Sequence, residues 1–151
     1  MANSETEIAQ RKRWMSLLAK VSAGALAELM QAYGVLPDHR VLRAAEVGSV
    51  MVRGRAGATG APFNLGEMTV TRCAVQLETG EVGHGYVQGR SKTHASQAAL
   101  VDALMQTGAA PDVRAAVLVP IAAAHDAARQ MRAAKAAATK VDFFTLVRGE
   151  D

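Results

Sequence analysis

Residues 68–94 read MTVTRCAVQLETGEVGHGYVQGRSKTH, and this stretch carries the strongest structural signal in the chain. Its two flanks, Met68 to Glu78 and Val82 to Gly89, are β-like runs, and Thr79-Gly80-Glu81 between them predicts a tight turn. A helix is then predicted to begin near Ser91, where the residues become rich in alanine. A β-hairpin that leads directly into a helix therefore anchors the fold prediction.

The first third of the chain is predicted to form a helical hairpin. Ser22, between two apolar stripes, is suited to cap the second helix, and Gly34 followed by Pro37 is suited to end it. The apolar residues at helical spacing are Trp14, Leu17, Leu18 and Val21 in the first run and Leu26, Leu29, Met30 and Tyr33 in the second.

The middle of the chain is predicted to contain a further β-hairpin and a long loop. Two short β-like runs, Val41 to Val47 and Ser49 to Arg55, flank Gly48, where we expect the chain to turn. The following segment, Gly54 to Gly66, is rich in glycine and is predicted to be a loop between the two hairpins. Because few bulky residues anchor this loop, we expect it to be mobile when no partner is bound.

The last third is predicted to return to helices, at Thr93 to Gln106 and at Ile121 to Lys140. Between them Val113 to Val119, bracketed by two prolines, is interpreted as a strand or an extended connector, and Val141 to Val147 as a strand. The fold class is therefore α+β. It comprises an antiparallel sheet of two central hairpins plus a C-terminal strand, packed with the N-terminal helical hairpin and two C-terminal helices, in a single domain over residues 1–151.

Composition narrows the function classes. Seventeen Lys and Arg against fourteen Asp and Glu give a formal charge of +3, which suits an anionic ligand or an acidic partner. Six aromatic residues and no dense basic stripe argue against nucleic-acid binding. The lone Cys73 fits a reducing compartment, and Met1 to Arg13 lacks the apolar core of a signal peptide. With no apolar run long enough for a membrane helix, we expect a cytoplasmic protein.

The helix start after the central hairpin is a candidate anion site. Arg90, Lys92 and His94 lie there although cations are unfavourable at the positive end of a helix dipole. An anion held at this end, or a carboxylate from elsewhere, would explain the cluster. The alternative is that Arg90 and Lys92 point to solvent or pair with glutamates of this or another chain.

The glycine-rich segment in the middle offers a second candidate anion site. Arg53, Arg55, Gly57 and Gly60 combine two guanidinium groups with glycines that allow a phosphate to approach the backbone. The competing interpretation is an ordinary loop in which glycine serves turn geometry and arginine solubility. Spacing alone favours this second interpretation, because no helix follows the glycines.

No residue can be assigned a catalytic role from spacing. The four histidines lack ligand spacing, so no metal site is predicted, and no nucleophile elbow is present. Glu46, Glu67 and Asp102 are possible acids or bases, with surface charge for Glu67 and a paired polar strip for Asp102 as the alternatives.

The C-terminal run is a candidate interface. Phe143, Phe144 and Leu146 lie in one extended apolar segment, and the two adjacent phenylalanines would face opposite sides of a strand. Both rings are buried only if both sides are covered, which favours assembly with another chain. The alternative is that this strand closes the domain's own sheet.

Taken in order along the chain, several segments resemble the PhnG family of the carbon–phosphorus lyase core complex. The match runs nearly end to end, which makes it more specific than any single glycine motif. The segments are Arg13-Trp14-Met15, Arg43-Ala44-Ala45-Glu46-Val47-Gly48, Phe63-Asn64-Leu65-Gly66-Glu67, Gly89-Arg90, Asp102-Ala103-Leu104-Met105-Gln106 and Val141-Asp142-Phe143-Phe144-Thr145 to Arg148-Gly149.

The resemblance implies a non-autonomous subunit of an enzyme complex for phosphonates. In that family the small subunit acts with PhnH, PhnI and the ATPase-like PhnL, while PhnJ is the radical subunit of the same system. The implied reaction displaces adenine from MgATP by a phosphonate and gives α-D-ribose 1-methylphosphonate 5-triphosphate. MgATP and the phosphonate are substrates of the complex, this chain is expected to bind no cofactor itself, and self-association within the complex is expected.

Two other function classes stay open on the residues alone. One is a mildly basic module that binds RNA or a nucleotide. The other is a free-standing nucleotide-processing enzyme.

Overall fold

The computed structural model describes residues 2–34 and 36–140. Its helices and strands confirm the predicted α+β class, whereas the predicted strand Val141 to Val147 lies outside the described residues. In chain order the elements are α1 (Ala2–Lys20), α2 (Ala23–Tyr33), β1 (His39–Arg55), β2 (Pro62–Leu77), β3 (Val82–Gln88), α3 (Lys92–Leu104), α4 (Ala110–Val113) and α5 (Val119–Ala138).

The three strands form one antiparallel sheet in the order β1-β2-β3. The predicted central hairpin is confirmed as β2–β3, in which Val75 pairs with Gly83 and Thr71 with Val87. Gly80 supplies the positive φ of 106° that the turn requires.

The predicted turn at Gly48 was wrong. β1 runs straight through this glycine, which pairs with Val70 of β2 and does not have a positive φ. The reversal comes instead at a 3₁₀ turn over Ala56–Ala58, where Gly57 has φ 57°. The predicted loop Gly54 to Gly66 is correspondingly shorter, because β2 already begins at Pro62 and pairs with the end of β1. The two hairpins of the sheet therefore share β2.

Helix α3 packs directly on β2 and β3. A Cβ atom added to Gly83 would lie 1.9 Å from the carbonyl oxygen of Ala99, and one added to Gly85 would lie 1.9 Å from that of Ala95. Glycine on the strand and alanine on the helix thus allow the two backbones to come unusually close. This contact fixes the start of α3 against the end of β3.

The remaining helices complete a layer on the same side of the sheet. Helix α1 contacts β3 and α3, and α2 packs on α3. As predicted, Ser22 caps α2 by accepting a hydrogen bond from the Ala25 N–H at 3.2 Å, and Gly34 ends it with φ 79°. The core between the layers includes Leu18, Leu26, Val75, Val101 and Val117.

The strand or connector predicted for Val113 to Val119 is helical. Arg114–Leu118 form a π-helical turn between α4 and α5, in which the Val119 N–H bonds the Arg114 carbonyl. Pro120 follows at the start of α5, and the wide turn before it accommodates a residue that has no N–H to donate. Val113, Val117 and Ile121 are all buried, which is a helical spacing.

Candidate functional site

The start of α3 is a fixed backbone corner. Ser91 is the N-cap residue, and its hydroxyl accepts a hydrogen bond from the His94 N–H at 3.1 Å. Gly89, with φ 94°, donates its N–H to the Thr69 carbonyl at 3.0 Å, and the buried Thr71 hydroxyl donates to the Gly89 carbonyl at 2.7 Å. The corner therefore presents Arg90 and Lys92 from a rigid base.

Arg90 and Lys92 are both exposed, and the first turn of α3 contains no acidic residue. Over residues 2–34 and 36–140 neither side chain has a carboxylate within ion-pair distance. Two unpaired cations thus stand beside the free N–H groups of a helix, an arrangement that attracts an anion.

His94 does not belong to this exposed cluster, contrary to the candidate role given to it from sequence. Its side chain is 2% exposed, and Nε2 donates a hydrogen bond to the Leu18 carbonyl at 2.9 Å. Burial lowers the pKa of the imidazole, because the charged form loses its hydration, although the Leu18 carbonyl partly opposes this effect. His94 therefore ties α1 to α3 as a neutral core residue.

The second predicted site lies at the tip of the β1–β2 hairpin. Gly60 donates its N–H to the Ala56 carbonyl at 2.9 Å, and a Cβ there would lie 2.7 Å from that oxygen. Gly57 supplies the left-handed conformation of the same turn. The geometry of the turn thus accounts for both glycines. This agrees with the competing interpretation made from sequence, an ordinary loop in which glycine serves turn geometry.

Arg53 and Arg55 are exposed on this hairpin, and in the described part of the chain no carboxylate pairs with either. The Arg55 guanidinium reaches only the Gly60 carbonyl, at 3.5 Å. Thr69, which bonds Gly89 next to the helix start, pairs with Ser49. From there Arg53 lies four residues further along the hairpin, about 13 Å. The two predicted cation clusters therefore start from separate positions along the hairpin.

The best organised polar cluster surrounds Asp102, whose side chain is completely buried on α3. Oδ1 accepts hydrogen bonds from Arg11 Nε at 3.1 Å and Trp14 Nε1 at 2.8 Å. Oδ2 accepts from Arg11 Nη2 at 2.7 Å and from the His84 N–H at 2.9 Å. The prediction that Asp102 belongs to a paired polar strip, and is not a free acid or base, is thus confirmed.

This cluster joins α1, β3 and α3 at one point, and its carboxylate has no free face for a substrate. Gln106 extends it by donating to the Val82 and Asp102 carbonyls at 2.8 and 2.9 Å. Sequence reasoning missed Arg11 as the partner, since it lies 91 residues away. The signal available was an aspartate inside the otherwise apolar run Ala98 to Met105, which requires a buried donor.

Two further observations limit the chemistry of the described residues. Nowhere in residues 2–34 and 36–140 do three His, Cys, Asp or Glu side chains lie close enough to hold a metal ion. Within the same ranges no helix has the length and apolarity to span a membrane. The predicted interface residues Phe143, Phe144 and Leu146 lie outside the described part of the chain.

Fold and candidate site together define a small α+β protein that presents cations from a sheet-and-helix frame, and the part of the chain that the structure describes offers no assembled set of acid and base. Residues 9–149 match the family model described as "Phosphonate metabolism protein PhnG". The chain therefore belongs to the PhnG family.

A curated relative extends this result. The chain is 46% identical over 149 residues to the alpha-D-ribose 1-methylphosphonate 5-triphosphate synthase subunit PhnG of Rhizobium meliloti (strain 1021). The alignment covers 99% of this chain and 96% of the relative. The resemblance inferred from the sequence segments is thus confirmed.

Proposed function

We propose that this chain is a non-autonomous subunit of a synthase complex that makes α-D-ribose 1-methylphosphonate 5-triphosphate from MgATP and a phosphonate. The observation that carries the proposal is the 46% identity, over nearly the whole of both chains, to a relative named as a subunit of that synthase.

The reaction displaces adenine at the anomeric carbon of the ribose by a phosphonate oxygen. Its transition state has oxocarbenium character, so it requires a held triphosphate, a polarised or protonated base and exclusion of water. Arg90 and Lys92 are suited to the first task, because both are exposed cations without an ion-pair partner in the described ranges. Arg53 and Arg55 are suited to a second anion or to an acidic subunit surface.

The two buried titratable side chains of α3 are not available for the proton transfer. Asp102 is buried and accepts four hydrogen bonds, and the His94 ring is buried against the Leu18 carbonyl. Both groups serve the fold. This supports an accessory role in which another subunit supplies the acid that protonates adenine.

The proposed partners are the other subunits of the carbon–phosphorus lyase system, namely PhnH, PhnI, PhnJ and PhnL, in the cytoplasm. Self-association within the complex is part of the same proposal. The chain itself is proposed to bind no cofactor and no nucleic acid.

Adenine release tests the proposal. The purified chain is incubated with MgATP and methylphosphonate, alone and after mixing with the other subunits prepared without it. We expect no release above background from the isolated chain and turnover only after mixing. Turnover that follows the isolated chain through purification would indicate a free-standing enzyme. Salt-dependent RNA binding without any effect on the complex would indicate a binding module.

A further inference from the structure

Gly48, in the middle of β1, is a glycine that the described fold does not require. It pairs with Val70 in regular register, it does not have a positive φ, and nothing lies within 4 Å of a Cβ atom built on it. Glycine inside a strand weakens the strand, so it usually serves a bulge, a bend or the close approach of a ligand or another backbone. The register shifts of β1 lie elsewhere, between Val41 and Glu46 and after Val52. The remaining explanation is an approach to Gly48 from outside the described chain.

A row of three polar side chains lies beside Gly48. Arg72 of β2 pairs with Glu46 of β1 and with Tyr86 of β3, so the three side chains share one side of the sheet. Strand alternation makes this the side opposite α3, because the neighbouring Gly85 faces that helix. The row and Gly48 line a cavity of about 330 Å³, a volume near the lower limit for small-molecule sites. We call this cavity the Gly48 hollow.

Glu46 lines the hollow with one carboxylate oxygen still able to accept. Its Oε1 lies 3.1 Å from Arg43 Nη1 and 2.5 Å from Arg72 Nη2. Both arginines thus bond the same oxygen, and within residues 2–34 and 36–140 no donor bonds Oε2. The Glu46 side chain is 50% exposed, and Tyr86 at the other end of the row is 45% exposed. A carboxylate oxygen, a guanidinium group and a phenol ring are therefore accessible to one ligand.

These groups define the chemistry of the ligand. A free phosphate is disfavoured, because the Glu46 carboxylate would repel it. An amine on an aromatic ring can instead donate to Oε2, while the ring itself can pack on Tyr86 and Val70. Without a Cβ atom, Gly48 allows such a flat ring to lie against the strand backbone. An aromatic heterocycle with an exocyclic amine, as in an amino-substituted nucleobase, combines all three features.

We propose that the Gly48 hollow binds an amino-substituted nucleobase, whose exocyclic amine donates to Glu46 Oε2 and whose ring packs against Tyr86. The inference rests on the proposed function, in which the base is the adenine of MgATP. The chain then contributes a surface that holds the base. The acid that protonates adenine stays with another subunit, because Glu46 is a carboxylate held by two arginines.

Titration of the full-length chain with free adenine, followed by the NMR amide signals of Gly48 and Tyr86, is the first test. Hypoxanthine, which carries a carbonyl in place of the amine, should bind at least about tenfold more weakly. Gly48→Ala should also bind adenine at least about tenfold more weakly, because the methyl group occupies the hollow. The matched control is Gly66→Ala, on β2 outside the hollow, where nothing lies within 4 Å of the added atom. Absence of adenine binding, equal binding of hypoxanthine or unimpaired binding by Gly48→Ala would overturn the proposal.

Adenine release by the assembled complex is the second test. Gly48→Ala should raise the KM for MgATP at least about tenfold, whereas Gly66→Ala should leave it unchanged. An unchanged KM for Gly48→Ala, with wild type active, would overturn the hollow as a base site but leave the proposed function intact. Failure of Gly48→Ala to join the other subunits would show that the hollow is a protein contact and would also overturn the base site. If wild type restores no adenine release, the proposed function falls, and the titration of the isolated chain still decides whether the hollow holds a base.

Discussion

Arg11 and Asp102, 91 residues apart in sequence, form a two-point contact in which Arg11 Nε and Nη2 lie 3.1 and 2.7 Å from the two carboxylate oxygens. The arginine is 34% exposed, whereas the aspartate is fully buried. Both partners are therefore needed, for different reasons. Without Asp102 the buried donors around it lose their acceptor, and without Arg11 the buried carboxylate loses its counter-charge.

We therefore expect Asp102→Ala to lower the free energy of unfolding by about 3 kcal/mol, because the buried Trp14 Nε1 and the His84 N–H lose their acceptor. Arg11→Ala should also cost about 3 kcal/mol, because it leaves a fully buried carboxylate without its cation. Urea unfolding measures the cost of each substitution. A cost below about 1 kcal/mol for either variant would contradict this account of the cluster.

The contact between β3 and α3 gives a second prediction. In Gly85→Ala the new methyl group would meet the Ala95 carbonyl at 1.9 Å, so strand and helix must separate. We expect a loss of about 3 kcal/mol or more, at the upper end of the range for overpacking. The matched control is Gly48→Ala in β1, where nothing lies within 4 Å of the added atom. Its thermal midpoint should stay close to that of wild type.

Turn and cap residues in the sequence predicted those parts of the fold that depend on neighbouring residues. The β2–β3 hairpin and its turn, the Ser22 cap and the α3 start next to Ser91 all follow from residues within a few positions of one another. The prediction of a turn at Gly48 was wrong because the pairing of β1 with β2 over many residues outweighs the effect of one glycine. The extended structure predicted for Val113 to Val119 was wrong because two flanking prolines and three valines in seven residues resemble a strand, although Val113, Val117 and Ile121 have helical spacing.

The candidate site was also predictable only in part, because some of its side chains are placed by contacts with distant parts of the chain. Arg90 and Lys92 are exposed at a helix start, as their sequence positions indicate. The ring of His94, two residues further on, turns into the core because Leu18 of a distant helix offers it an acceptor. No local pattern distinguishes a histidine that faces solvent from one that faces such a carbonyl.

The role of Arg90 and Lys92 is tested by removing both charges. Arg90→Ala/Lys92→Ala should not lower stability, since it removes cations from the positive end of the α3 dipole. It should reduce adenine release by the assembled complex at least about tenfold if these cations hold an anion of the substrate. Arg129→Ala/Lys135→Ala, which removes two exposed cations from α5, is the matched control and should leave turnover unchanged. A double variant that is less stable yet fully active would show that the pair is structural.

His94 predicts a specific dependence of stability on pH. Burial lowers its pKa in the folded state from the ordinary value of 6.5, so the unfolded chain binds this proton more readily than the folded one. Stability from this group is therefore complete above about pH 6.5 and declines as the pH falls through that value toward the folded-state pKa. His94→Gln keeps a donor for the Leu18 carbonyl but does not titrate. Chemical unfolding at steps from pH 7.5 to 5.0 should show that wild type loses more stability than the variant over this window. Parallel pH profiles would mean that His94 does not take up a proton on unfolding and would contradict its assignment as a neutral core residue.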